Sequence, residues 1–171
     1  MKKIGLSVLL ISIVQSGFAV DPVKSASFKV EAIIANGCGL NNTEQLLDFG
    51  RHPVVTQGQL KGSVINTAQS WNIQCTERLP VLITLNGGDN FSNSSRRMKN
   101  VQQNEFVSYQ LYQDSSLKSE YASGNSYSLT PTTALNPLLN FSIYAVADLN
   151  NNNQPRSAGL YKDTVAITIT W

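Results

Sequence analysis

The feature that most constrains this chain is its last stretch, Gly159 to Trp171. From Asp163 onward it alternates strictly: Val165, Ile167, Ile169 and Trp171 point one way, and Thr164, Ala166, Thr168 and Thr170 the other. Period two with β-branched residues describes a strand buried on one face. The strand runs to the final residue, so the sequence leaves open what its far edge pairs with.

The same period recurs upstream. Phe28 to Ala35 alternates, with Phe28, Val30, Ala32 and Ile34 on one face, and Asn36-Gly37 breaks it before Cys38. Leu46 to Gly50 is a short apolar piece stopped by glycine, and Pro53 to Lys61 reads as irregular. Ser63 to Cys75 reads as one extended run with Ile65, Trp71, Ile73 and Cys75 sharing a face. Leu79, Val81, Ile83 and Leu85 form the inward set of the next strand. Phe91 to Asn104, with Arg96-Arg97-Met98, reads as a polar excursion. Val107, Tyr109 and Leu111 point inward in the strand that follows, strand signals are weak around Tyr121 and Tyr127-Leu129, and Phe141 to Ala147 alternates again. Six or seven short strands with polar turns and no stretch of helical period imply a single all-β sandwich.

The first residues stand apart. Lys2 and Lys3 precede an apolar run from Ile4 to Val14, and Gly17-Phe18-Ala19 places small residues where a signal peptidase reads. This is a secretory signal peptide spanning 1–19. Its apolar run falls short of the roughly 20 residues that cross a bilayer, and no later stretch approaches that length, so no membrane span is expected in the mature chain. Removing two lysines from the 13 Lys+Arg leaves 11, against 11 Asp+Glu. A neutral mature chain offers no electrostatic case for nucleic acid or an anionic membrane surface.

An exported chain with two cysteines, Cys38 and Cys75, reads as carrying one disulfide. Metal binding would need more soft ligands than His52, the only histidine, can supply, and a catalytic thiol would have that histidine as its sole basic partner. Neither the Asp89-Asn90 loop nor the Asp148 to Asn153 loop has the spaced oxygens of a calcium loop. Tyr109, Tyr112, Tyr121, Tyr127 and Tyr144 are compatible with a sugar-binding face, but such tyrosines more often pack their rings within strands. No enzyme activity and no cofactor are expected, which leaves association as the function to explain.

The ordered motifs Asn36-Gly37-Cys38, Leu47-Asp48-Phe49-Gly50, Trp71-Asn72-Ile73-Gln74-Cys75-Thr76, Leu85-Asn86-Gly87-Gly88, Arg97-Met98, Val107 to Asp114 and Ala158 to Val165 resemble the spore coat protein U domain family. That family includes pilin subunits of archaic, Csu-type chaperone–usher pili. The chain departs from it by ending in Trp171 where Tyr or Phe is usual. The resemblance implies an incomplete immunoglobulin-like sandwich lacking its last strand and completed by donor-strand complementation. After the signal peptide over 1–19, it implies a donor-strand extension over 20–30 and a pilin domain over 31–171. Ala26, Phe28 and Val30 would be donor residues, and Val165, Ile167, Ile169 and Trp171 would border the acceptor groove and the chaperone-binding strand. The implied partners are a periplasmic chaperone, an outer-membrane usher and neighbouring pilin subunits in a head-to-tail polymer. The implied location is the bacterial cell surface, reached through the periplasm, with a role in adhesion and biofilm formation. A self-contained secreted carbohydrate- or surface-binding sandwich, or a spore or capsule coat protein, is the alternative.

Overall fold

The computed structural model describes residues 27–171. The expected signal peptide and Ala26 lie outside the described residues. Residues 27–34 carry no regular secondary structure and belong to a unit distinct from the compact body, Ala35–Trp171.

That body is built from ten strands: β1 (Cys38–Gly39), β2 (Gln59–Ile65), β3 (Gln74–Cys75), β4 (Val81–Leu85), β5 (Arg96–Asn100), β6 (Phe106–Tyr112), β7 (Ser126–Leu129), β8 (Ser142–Asp148), β9 (Tyr161–Lys162) and β10 (Ile167–Thr170). All pairings are antiparallel. A five-stranded sheet runs β2-β8-β6-β5-β9, a three-stranded sheet runs β10-β4-β7, and β1 pairs with β3. The inward residues of β4 (Val81, Ile83, Leu85), β6 (Val107, Tyr109, Leu111) and β8 (Ile143, Ala145, Ala147) meet in one core. Trp71 and Phe141 add a tilted ring pair at 5.0 Å, and Tyr121 meets Phe141 edge-on at 6.4 Å. The two larger sheets enclose this core as the sandwich that the strand pattern implied, with the incomplete immunoglobulin-like architecture that the family resemblance implied.

Two stretches differ from the sequence reading. Phe91 to Asn104 is not a polar excursion. Asn93 and Ser94 both have positive φ, 50° and 59°, and Ser92 and Ser95 exchange backbone hydrogen bonds of 3.0 Å. This is the tight turn whose twist suits a hairpin, and it delivers the chain into β5. Its inward residues are Arg96, Met98 and Asn100, so no apolar alternation marks this strand in the sequence.

Ser63 to Cys75 is likewise not one run. β2 begins earlier, at Gln59, and stops at Ile65. The turn from Thr67 to Ser70 follows, with the Ser70 hydroxyl donating to Ile65 O at 2.7 Å. Leu60 and Val64 set the inward parity of β2, so Ile65 faces outward rather than sharing a face with Trp71 and Ile73. Asn66 bridges the break: it donates to Ile73 O and Leu139 O, at 3.0 and 2.8 Å, and accepts from Ile73 N at 2.9 Å.

Candidate functional site

The disulfide is present. Cys38 and Cys75 are bonded across the β1–β3 pair, which ties the start of the body to the strand leading into β4. Gly37 O accepts from Thr76 N at 2.9 Å, and Gly37 N donates to Thr76 Oγ1 at 3.0 Å.

β10 pairs with β4 in the register Ile167↔Leu85 and Ile169↔Ile83. The four side chains share one face, yet their burial differs. Ile83 and Leu85 are fully buried, whereas Val165, Ile167 and Ile169 are half-buried. The cause lies in the sheet order: β4 sits between two strands, while among the described residues β10 has a neighbour only on the β4 side. Trp171 departs from the set expected to face inward. It is 58% exposed, and its indole lies over Gly37, where an added Cβ would stand 3.5 Å from Nε1.

Beside β10 a cavity of about 850 Å³ opens into the sandwich. Val165 and Ile167 form one wall, and Leu60, Val107, Leu111 and Ile143 belong to its floor on the five-stranded sheet. Residues 45–54 line its other side. Within that segment Gln45, Leu47 and Phe49 turn inward and Leu46 and Asp48 outward, a strand-like alternation. Even so, among the described residues no backbone–backbone hydrogen bond involves residues 43–49. Backbone amides and carbonyls are obligatory hydrogen-bonding groups. The cavity is thus bordered by an edge strand and by an extended segment whose backbone lacks backbone partners.

Two polar clamps tie distant segments of the body, and the first involves Tyr109 and Asp163 of the cavity lining. The Tyr109 hydroxyl, from the five-stranded sheet, donates to Asp163 Oδ2 at 2.6 Å. Asn90 N and Nδ2 donate to Asp163 Oδ1 at 3.1 and 2.9 Å. Burial, reinforced by the bond to Asp163, pushes the Tyr109 phenol well above its ordinary range. Gly88 (φ +83°) closes the cluster, since a Cβ there would fall 2.1 Å from Asp163 Oδ2.

Arg96, 3% exposed, makes the second clamp. Its guanidinium reaches from β5 to the end of β4, donating to Asn86 O at 3.0 and 2.8 Å, and to Tyr121 O at 2.6 Å. Burial lowers its pKa, against the opposing pull of Tyr109, Glu120, Tyr127 and Asp163. No sequence signal marked Arg96 or Asp163 as a pair of clamps, because each is defined by carbonyls or hydroxyls distant in the chain.

The five tyrosines do not form a common face. Tyr109 and Tyr121 are core residues, with Tyr121 pushed up by burial to about 12. The Tyr127 hydroxyl is bonded to Ala122 N and Glu120 O, while Tyr112 and Tyr144 pair across strands β6 and β8. Phe28, expected in the donor segment, is 88% exposed, and Val30, Ile33 and Ile34 are similarly exposed. Among the described residues no group of histidine, cysteine and acidic side chains is arranged to hold a metal ion, and no helix is long and apolar enough to cross a membrane.

No curated protein matches this chain in sequence. Among solved structures, it is similar to a chain in the crystal structure of the CsuC-CsuE chaperone-tip adhesion subunit pre-assembly complex, from the archaic chaperone-usher Csu pili of Acinetobacter baumannii. The identity is 20% and the TM-score 0.48, and the alignment covers 81% of this chain and 40% of that one. Residues 24–168 match the model of the Spore Coat Protein U domain. The match spans nearly the whole compact body, and the chain belongs to the Spore Coat Protein U domain family.

Proposed function

We propose that this protein is a structural subunit of a secreted chaperone–usher pilus, and that its sandwich is completed by a strand from another chain. The observation that carries this reading is the cavity between β10 and residues 45–49: among the described residues, β10 has no outer neighbour and 45–49 have no backbone partners. An inserted strand would meet backbone groups on one side or both and cover Val165, Ile167 and Ile169. Full burial of such a side chain stabilises by about 1.5–3 kcal/mol. Finishing three half-buried ones is therefore significant against a domain stability of roughly 5–15 kcal/mol.

The occupant changes along the route in this reading. A periplasmic chaperone supplies the strand first, and at the outer-membrane usher the N-terminal segment of the next subunit replaces it. Ala26, Phe28 and Val30 are the donor side chains. Strand addition to a sheet edge gives affinity through the main chain and specificity through alternate side chains. Because the contact is head-to-tail and does not close, it builds a fibre. The fibre stands at the cell surface, where it supports adhesion and biofilm formation.

The test is Phe28→Asp in a cell that assembles the fibre. A charge in an apolar groove should abolish polymers while leaving the periplasmic chaperone complex at wild-type abundance. Normal fibre length from the variant would remove Phe28 from the donor set.

A further inference from the structure

Gly62 lies in the middle of β2, on the inward parity between Leu60 and Val64. Its backbone is not in the left-handed region, so conformation does not demand glycine there. Glycine inside a strand weakens it, and often marks a place where another backbone comes close. Directly across the pairing stands Ala145 of β8. Two small residues side by side make a dip in the inner face of the five-stranded sheet.

Residues 47–49 fill that dip. A Cβ added at Gly62 would stand 2.9 Å from Leu47 Cδ2, 3.3 Å from Asp48 O and 3.6 Å from Phe49 Cδ1. These residues belong to the segment that, among the described residues, makes no backbone–backbone hydrogen bonds. Its C-terminal end is held by local contacts: the Asp48 carboxylate accepts from Gly50 N at 2.8 Å, and His52 Nε2 donates to Phe49 O at 2.6 Å. The height and line of the segment are therefore set by how Leu47 and Phe49 seat against the sheet.

We propose that Gly62, opposite Ala145, is the positioning residue of the cavity: it lets residues 47–49 sink against β2 and so fixes the separation between that segment and β10. The inference rests on the reading of the cavity as a strand acceptor. An incoming strand has to meet hydrogen-bond geometry within a few tenths of an ångström on each side it pairs. A side chain at 62 lifts one border and leaves β10 in place. Alanine asks Leu47 to turn its tip and Asp48 O to yield by a few tenths of an ångström. Valine places two further carbons against the segment, which has no backbone ladder to resist displacement.

The experiment uses the mature chain and, as probe, a labelled synthetic peptide of residues 20–34 of this sequence. Gly62→Ala should bind the peptide within about threefold of wild type, and Gly62→Val should bind at least about tenfold more weakly, ~1.4 kcal/mol. Adding Leu47→Ala to Gly62→Val should recover most of the loss, because it empties the space that the valine needs. A second readout needs no peptide: trypsin should cut after Arg51, just beyond the segment, faster in Gly62→Val than in wild type. Wild-type affinity and wild-type cleavage in Gly62→Val, or no recovery with Leu47→Ala, would overturn the role of Gly62. Should wild type itself bind no complementing strand, the acceptor reading falls. Accelerated cleavage in Gly62→Val would then still show that Gly62 seats the segment.

Discussion

At the scale of single residues, the clearest case is Arg96. A guanidinium out of water is costly unless its donors are met. Here they are met by main-chain carbonyls of two distant segments, Asn86 and Tyr121. Arg96→Leu would be apolar in an apolar place, yet it would strip Asn86 O and Tyr121 O of these partners. Each unsatisfied buried group costs about 1–3 kcal/mol, so the variant should lose on the order of 3 kcal/mol in denaturant unfolding. Lysine should rescue poorly, since one ammonium cannot reproduce a planar fork. In the sequence, Arg96 looked like part of a polar loop. What makes it a core residue is the parity of β5 and the carbonyls that await it.

Among the elements, β1 and β3 are two residues each, too short to hold by pairing alone. Their disulfide closes a separation of 37 residues, worth about 4 kcal/mol on the chain-entropy model. Cys75 is buried while Cys38 is only partly so. Replacing both with serine should lower the melting temperature. It should also expose residues 38–52 to protease before the rest of the body unfolds. Uniform loss of resistance across the chain would show that the bridge does not act on this segment. Elsewhere, elements with apolar inward sets, such as β4, β6 and β8, were legible from period two. β2 was misread in register because the alternation around Ile65 continues on paper past a turn that Ser70 and Asn66 make in space.

For the molecule as a whole, the consequence is a body whose core is complete on the β4 side and unfinished on the β10 side. Fusing residues 20–34 after Trp171 through a flexible linker turns an intermolecular strand into an intramolecular one, at an effective concentration of about a millimolar. The fusion should melt at a higher temperature than the unfused chain. It should also stay monomeric at concentrations where the unfused chain associates through its open edge. Equal melting temperatures for the two would mean that the cavity takes no strand from this segment.

The sequence by itself determined the all-β class, the cysteine pair, the inward sets of β4 and β6, the alternation of β8, and a last strand with one apolar face. These follow from local chemistry: period two, β-branched residues, an even number of cysteines. Only the tertiary structure decided that, among the described residues, β10 has a single neighbour and residues 43–49 run extended without backbone partners. It also decided that Trp171 lies over Gly37, that Arg96 ties β5 to the end of β4, and that Asp163 takes the Tyr109 hydroxyl at the cavity. Such facts depend on which distant segments come to lie side by side, and alternation along a strand specifies which side faces the core but not what stands next to it.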